Sequence, residues 1–164
     1  MGEQVHLDWI GLSFIMTINS FDKKMFHQAY IEATKSTFNR FHVGAVIVYK
    51  NRIIGRGHNS EKTHPMQQEY NRKYRKFNNN DSGDFVRHSV HAEIAALCSV
   101  PYCIGKDVDW SKVKIYVYRI CPGRKKGYGN SKPCPACTAA LRDHGVKQIY
   151  FTSNEGLAYL ELDD

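Results

Sequence analysis

The chain has 164 residues, of which 42% are apolar, 12% aromatic and 24% charged, and its formal net charge is +7 at pH 7. This size and composition are typical of one soluble globular domain spanning residues 1–164, and they exclude a mainly disordered chain. The apolar runs are far shorter than the roughly 20 residues of a membrane-spanning helix. The N-terminus is unlike a signal peptide, because Asp8 lies among its apolar residues. We therefore expect a cytoplasmic protein with no membrane partner.

The first half of the chain predicts a helix followed by a β-hairpin. Apolar residues four positions apart over residues 21–38 favour a helix with Ser20 as its N-cap. Two β-branched runs, over residues 43–49 and 52–56, favour antiparallel strands joined by a short turn. From residue 57 to about 87, turn-forming residues predict a loop, and residues 67–76 are compatible with a short helical turn.

The second half of the chain alternates helices with strands. The predicted elements are a helix over residues 91–100 stopped by Pro101, a strand Lys114–Ile120, a helix Pro135–His144 closed by Gly145, and a strand Gln148–Thr152. Strands that alternate with helices pair in parallel through right-handed crossovers. We therefore expect an α/β fold, a three-layer α/β/α sandwich with a mixed central sheet. Its core spans about residues 20–153, with variable loops at about 57–88 and 120–132.

Two segments hold the excess of positive charge. Residues 56–77 contain six basic residues and two acidic ones, and residues 119–132 contain five basic residues and no acidic one. Localised positive charge favours an anionic partner such as a phosphate. A solvated basic face that keeps the protein soluble is the alternative interpretation.

The chain has five cysteines, an odd number that cannot all pair within one molecule. Cys134 and Cys137 form a Cys-x-x-Cys pair, which in a reducing compartment is typical of a metal site. The other three, Cys98, Cys103 and Cys121, are scattered, and we expect them to be buried apolar thiols.

Two short motifs carry the chemistry: His91-Ala92-Glu93 and Pro133-Cys134-Pro135-Ala136-Cys137, each of which opens a predicted helix. Two thiolates and an imidazole are suitable ligands for zinc, and three protein ligands leave a fourth position for water, as in catalytic zinc sites. The positive end of a helix dipole favours the thiolate form of cysteines in the first turn. Glu93 is placed to take a proton from a zinc-bound water and to return it to a leaving group.

Two other interpretations of these motifs stay open. A structural zinc site would need a fourth ligand, for which His88, Cys121 and His144 are candidates, and it gives no reason for Glu93. A disulfide between Cys134 and Cys137 is the second alternative.

The pair of motifs closely resembles the signature of the zinc-dependent cytidine and deoxycytidylate deaminase superfamily, H-x-E followed by P-C-x-x-C. The resemblance covers about residues 41–151, with residues 43–48 similar to the family's first strand and Gly57-His58-Asn59 similar to the turn whose Asn holds the sugar. It implies a cytidine deaminase-like fold, a Zn²⁺ cofactor, a homo-oligomer, and hydrolytic loss of ammonia from an amino-bearing ring carbon.

The same resemblance implies a role for seven residues: zinc ligands His91, Cys134 and Cys137, proton shuttle Glu93, and substrate contacts Asn59, Ala92 and Val43. Asn59 would bind the sugar, and the Ala92 backbone would read the edge of the base. The amide of Cys134 would donate a hydrogen bond near the reacting oxygen, which makes it a substrate contact as well.

The substrate is less well defined than the zinc site. The Pro-Cys-Pro-x-Cys pattern and the chain length resemble the deoxycytidylate branch, so we expect an anionic nucleotide substrate and conversion of dCMP to dUMP. Two features depart from that branch: residues 59–65 lack its glycine-rich segment, and the loop over residues 121–132 is unusually long. A non-catalytic zinc-binding module is the least favoured interpretation of the whole chain.

Both basic segments also contain aromatic residues, as single-stranded nucleic acid binding requires. A deaminase acting on cytosine or adenine in single-stranded RNA or DNA is therefore the alternative function. The competing interpretation is that Tyr70, Tyr74 and Phe77 form the buried stripe of a short helix.

Overall fold

The computed structural model describes residues 3–9, 12–75 and 89–163, with side chains from Ile18 onward. The strands in these residues are β1 Glu3–Trp9, β2 Leu12–Ile18, β3 His42–Tyr49, β4 Arg52–His58, β5 Lys114–Ile120, β6 Tyr128–Gly129, β7 Gln148–Thr152 and β8 Leu157–Glu161. The helices are α1 Ser20–Thr34, α2 Pro65–Tyr74, α3 Ala92–Ser99, α4 Tyr102–Gly105 and α5 Pro135–His144. No helix of the described residues is long and apolar enough to cross a membrane.

The main sheet has six strands in the order β4-β3-β5-β7-β8, and the short β6 pairs with β5. Only β5 and β7 run parallel within this sheet, whereas its other strand pairs are antiparallel. Strands β1 and β2 form a separate antiparallel hairpin beside β8. The central sheet is therefore mixed, as predicted.

Helices cover both faces of the sheet, which gives the predicted three layers. Helix α1 packs against β3 and β5, and α3 packs against β4 and β3. Neighbouring positions on a strand point to opposite faces. A Cβ on Gly44 would meet the backbone of α1, whereas Gly57, the partner of Ala45 across the hairpin, faces the backbone of α3.

These two glycines bring the helices very close to the β3–β4 hairpin. A Cβ on Gly44 would clash with the backbone of Ala29 and Ala33, and one on Gly57 would clash with the backbone nitrogen of Ala96. Only residues without a side chain allow such an approach. The distance between α3 and the sheet is therefore set by backbone contact.

The turn between β3 and β4 explains why this hairpin forms. Tyr49 pairs with Arg52, so Lys50 and Asn51 form a two-residue loop, with φ angles of 49° and 63°. Positive φ at both positions is typical of a type I′ turn, whose twist matches that of the flanking strands. The predicted hairpin is confirmed, and β4 extends two residues further, to His58.

The second half of the chain confirms its predicted elements closely. Strand β5, helix α5 and strand β7 have the predicted bounds. Gly145 ends α5 in the left-handed conformation at a φ of 95°, as a C-terminal glycine should. Each of these elements has a strong local signal at its ends.

Helix boundaries in the first half differ from the prediction. Asn19, not Ser20, is the N-cap of α1, because it forms a capping box in which its side chain accepts from Asp22 N–H at 2.8 Å. Helix α1 ends at Thr34, four residues early. Helix α2 begins at Pro65, since the His64 side chain caps its first turn and proline suits the first helical position.

Several structural features were not predicted or were predicted wrongly. The strands β1, β2, β6 and β8 were missed. Cys98 and Cys103 are exposed, so the expectation that they are buried was wrong, because each lies on the outer side of its helix; Cys121 is half-buried. Phe77 and His88 lie outside the described residues.

Candidate active site

Two helix N-termini meet on the α3 side of the sheet and bring the metal-ligand candidates together. His91 is the N-cap of α3, and Cys134 is the N-cap of α5. Pro135 occupies the first turn of α5, where its missing N–H costs nothing. The backbone N–H of Cys137 donates to Cys134 Sγ at 3.5 Å, so the first turn of the helix holds both sulfurs on one side.

The three side chains have the spacing of metal ligands. His91 Nδ1 lies 3.5 Å from Cys134 Sγ and 3.3 Å from Cys137 Sγ, and all three atoms lie within 4.8 Å of one another. Tetrahedral zinc with its usual bond lengths places a nitrogen and a sulfur ligand about 3.6 Å apart. The group therefore fits a zinc ion without rearrangement.

The alternative of a closed structural site has no support in the described part of the chain. A fourth His, Cys, Asp or Glu does not join the three-residue group there. His144 instead bonds the carbonyl of Ala140 at 2.8 Å, and Cys121 lies against Gly129. Cys134 and Cys137 are free thiols rather than a disulfide.

The two cysteines differ in their protonation. A hydrogen bond from the Cys137 thiol, with a further contribution from His91, lowers the pKa of Cys134 to about 3. The same hydrogen bond and burial raise the pKa of Cys137 well above its usual value. Burial lowers the pKa of His91, but the hydrogen bond with Cys134 and the charges of Cys134 and Glu93 together outweigh this effect, so the net shift is upward. The lowered pKa of Cys134 favours its thiolate form, which is the form that binds a cation.

Glu93 lies in the first turn of α3 and is 5% exposed. Burial raises the pKa of its carboxyl group, and the nearby His91 opposes this shift. A raised pKa makes a carboxyl group a stronger base, and general acid–base catalysis uses carboxyl groups shifted in this direction. Its position beside the metal-ligand candidates makes it a suitable acid and base.

Gln67 and Asn71, which were not predicted as site residues, hold His91 from α2. Gln67 Oε1 accepts from the backbone N–H of His91 at 3.0 Å, and Gln67 Nε2 donates to Asn71 Oδ1 at 2.9 Å. Both side chains are fully buried. In the sequence they lie in a predicted loop region, so no apolar pattern marked them.

A cavity of about 240 Å³ opens beside these groups. Six of the seven residues predicted for the site line it: Val43, Asn59, His91, Ala92, Glu93 and Cys134. Cys137 is buried and is not part of the lining. The remaining lining residues were not predicted: Phe38, Phe41, Ser89, Val90, Arg119, Asn130, Ser131 and Lys132.

Asn59 has a structural role that the sequence did not indicate. Its Oδ1 accepts from Ser36 Oγ at 2.6 Å and from the N–H of Val43 at 2.9 Å, and its Nδ2 donates to the carbonyl of Phe41 at 2.9 Å. These bonds tie the end of β4 to the segment before β3. An amide nitrogen has two hydrogens, so the second can still be donated to a ligand in the cavity.

The basic residues contribute unequally to the cavity. Arg119 and Lys132 line it, and Arg75 Nη1 lies 3.5 Å from His91 Nε2. Arg56 instead contacts Gln28 and Glu32 on α1. Six more basic residues of the two segments are exposed: Lys62, Arg72, Lys73, Arg124, Lys125 and Lys126.

The aromatic residues of α2 follow neither interpretation completely. Tyr70 is half-buried and donates from its hydroxyl to Asp143 on α5 at 2.7 Å. Burial and this bond raise the pKa of Tyr70 to about 12. Tyr74 is 46% exposed and stacks on Tyr70. Tyr70 thus attaches α2 to the fold, whereas Tyr74 faces solvent.

Comparison with known proteins adds a family and a fold. Residues 19–153 match the family model of the cytidine and deoxycytidylate deaminase zinc-binding region. The cytidine deaminase of Burkholderia pseudomallei has a TM-score of 0.53 and 17% identity, over 85% of this chain and 91% of that one. No curated protein matches the chain.

Two further solved structures are more distant in shape. The dCMP deaminase of the cyanophage S-TIM5 has a TM-score of 0.48 and 21% identity, over 80% of this chain and 81% of that one. RibD of Acinetobacter baumannii has a TM-score of 0.45 and 22% identity, over 81% of this chain and 28% of that one. The likeness to the Burkholderia protein is large enough to show a shared fold.

Proposed function

Because the chain belongs to the cytidine and deoxycytidylate deaminase family, we propose that it removes the amino group of a cytosine nucleotide by hydrolysis, converting dCMP to dUMP with release of ammonia. The observation that carries this proposal is the position of His91, Cys134 and Cys137 beside the buried Glu93 at one cavity. Zinc held by these three residues supplies a Lewis acid that lowers the pKa of a bound water.

In this proposal Glu93 moves the protons. Its carboxylate takes a proton from the attacking water and delivers it to the ring nitrogen next to the amino-bearing carbon. The same carboxylate then takes the remaining proton from the hydroxyl group added to this carbon and passes it to the amino nitrogen. The carbon–nitrogen bond breaks, the hydroxyl oxygen becomes the carbonyl oxygen, and ammonia leaves. The raised pKa that burial gives Glu93 suits a group that both accepts and donates in one cycle.

The cavity walls position the base and the sugar. Ala92 is the first residue of α3, where a backbone N–H has no acceptor within the helix, so the backbone here can read the edge of the base. Val43 and Phe41 offer apolar surface to the ring. The second amide hydrogen of Asn59 is available to a sugar hydroxyl. The amide of Cys134, at the N-cap of α5, donates near the reacting oxygen.

A deaminase of single-stranded RNA or DNA is the second candidate. Arg72, Lys73, Arg124 and Lys125 are exposed, and exposed cations can follow a nucleic acid backbone. Such binding weakens steeply with salt, whereas turnover of a mononucleotide responds much less.

We also propose that the protein acts in the cytoplasm as a homo-oligomer of one domain per chain.

Incubation of the zinc-loaded protein with a substrate panel tests the proposal. The panel contains dCMP, CMP, dCTP, deoxycytidine, cytosine, AMP and a mixed single-stranded oligonucleotide, with products followed by mass spectrometry. We expect dCMP to be deaminated fastest. Turnover of the oligonucleotide alone would establish the second candidate instead, and absence of turnover on every compound would leave a zinc-binding module without catalysis.

A further inference from the structure

We propose that Arg119, together with Lys132, binds the phosphate of the substrate and thereby makes the enzyme specific for a nucleoside monophosphate. This inference rests on the proposed function, and it assigns substrate recognition to residues outside the zinc and His-x-Glu motifs. Both cations line the same cavity as Glu93. Arg119 lies on β5, and Lys132 lies in the segment that leads to Cys134.

The guanidinium of Arg119 is fixed in place but incompletely bonded. Its Cζ lies 4.9 Å from the centre of the Phe41 ring, and its Nη1 donates to the carbonyl of Asn130 at a long 3.5 Å. Its Nε is buried and has no hydrogen-bond partner. Buried donors are almost always paired in folded proteins, so an unpaired Nε on a residue that lines the cavity points to a ligand acceptor for this guanidinium.

The geometry of guanidinium suits a phosphate. Its N–H groups form a planar fork that can bond two phosphate oxygens at once. The guanidinium of Arg119 lies over the ring of Phe41, and this contact limits its rotation. A free Nε, in combination with a terminal nitrogen, is one of the pairs of donors that such binding uses.

A hydroxyl pair fixes Arg119 relative to the segment that carries Lys132. Thr152 Oγ1 accepts from the backbone N–H of Arg119 at 3.2 Å and donates to the carbonyl of Gly129 at 2.6 Å. Ser131 Oγ accepts from the N–H of Thr152 at 2.8 Å and donates to the carbonyl of Val117 at 2.9 Å. Both hydroxyls are buried, so the backbone that carries Arg119 is fixed relative to the segment that carries Lys132.

Among the described residues, the number of cations that line the cavity matches one phosphate group. A phosphate monoester carries about −1.5 to −2 charges at pH 7, which two cations balance. The other basic residues described in the two segments do not line the cavity: Arg56, Lys62, Arg72, Lys73, Arg75, Arg124, Lys125 and Lys126. The volume of about 240 Å³ lies below the usual range for ligand sites. A single nucleotide fits these limits better than a polynucleotide or a triphosphate.

Steady-state kinetics on dCMP and on deoxycytidine test this assignment. Arg119→Gln should raise the KM for dCMP about 10- to 100-fold and leave the KM for deoxycytidine within about twofold. Arg119→Lys keeps the positive charge but loses the planar fork of N–H groups. Its KM for dCMP should therefore lie between those of the wild type and Arg119→Gln. Lys125→Gln is the matched control, because Lys125 is exposed in the same loop and does not line the cavity.

Binding of inorganic phosphate supplies a readout that does not need turnover. Phosphate should raise the Tm of the wild type and of Lys125→Gln, and it should have little effect on Arg119→Gln or Lys132→Gln. If Arg119→Gln does not fold, the test is whether phosphate raises the Tm of Lys125→Gln but not that of Lys132→Gln. The assignment would be overturned if Arg119→Gln raised the KM for dCMP and for deoxycytidine equally. It would also be overturned if phosphate raised the Tm of all variants equally. Phosphate protection without deamination of any cytosine compound would instead contradict the proposed function and leave the anion site standing.

Discussion

The backbone N–H of His91 donates to the side chain of Gln67 at 3.0 Å, although the two residues lie on different helices, 24 positions apart in sequence. Gln67 is fully buried and is in turn bonded to Asn71. Partners of this kind fix the orientation of a metal ligand and tune its affinity. Helix α2 therefore belongs to the support of the metal site rather than to a surface loop.

Replacement of Gln67 should weaken both the fold and the metal site. Gln67→Leu leaves the N–H of His91 without its acceptor and should lower the free energy of unfolding by about 1–3 kcal/mol. Zinc affinity should fall by about 10- to 100-fold, measured by competition with a chromogenic chelator. Gln68→Leu is the control, since Gln68 lies on the same helix and is only half-buried; equal effects of the two substitutions would argue against a specific role of Gln67.

Replacement of Glu93 should separate metal binding from proton transfer. Glu93→Gln keeps the shape of the side chain but cannot accept the proton, so kcat should fall by about 10²- to 10⁴-fold. Zinc content, measured by atomic absorption, should stay at the wild-type level. Glu69→Gln on the exposed surface of α2 should change neither quantity. An active Glu93→Gln enzyme would require another proton carrier.

Removal of zinc should destabilise the protein. A metal that binds only the folded state adds to the free energy of unfolding, so a strong chelator should lower the Tm and re-addition of zinc should restore it. Cys137→Ser should reproduce the effect of the chelator, because Cys137 is buried among the ligand candidates. Cys103→Ser, at an exposed thiol, should retain both zinc and the wild-type Tm.

The close approach of α3 to the sheet predicts the effect of a single added methyl group. Gly57→Ala should lower the free energy of unfolding by about 1–3 kcal/mol or more, because the new Cβ meets the backbone nitrogen of Ala96. Denaturant titration measures this change. Gly123→Ala should stay within about 0.5 kcal/mol of the wild type, since open space surrounds that position. A tolerated Gly57→Ala would mean that α3 can move away from the sheet.

The residues proposed to perform the chemistry stand out in the sequence because their spacing is local. The His-x-Glu and Cys-x-x-Cys pairs each occupy one helix N-terminus, and strong end signals such as Gly145 fixed the bounds of α5. Only the contact between His91 and the two cysteines, 43 and 46 positions away, required the fold to be correct.

The rest of the site could not be predicted because it depends on long-range contacts. Arg119 was predicted to lie on a strand and in a basic segment, but neither pattern indicates which distant residues its side chain meets. The path of the segment through Ser131 is set by Thr152, 21 positions later. The buried amides Gln67 and Asn71 resemble surface residues in any composition-based assessment. Strands β6 and β8 are short, with two and five residues, and their pairing depends on neighbours already in place.

Gly57 allows the backbone of β4 to touch that of α3, so main-chain contact holds the helix that starts at His91 against the sheet. The long loop that precedes Lys132 is packed less closely at Gly123, where an added Cβ meets nothing within 4 Å. This loop leads to Asn130, Ser131 and Lys132, which line the cavity. Sequence changes at Gly123 can therefore accumulate next to the cavity wall while the metal-ligand candidates stay in place.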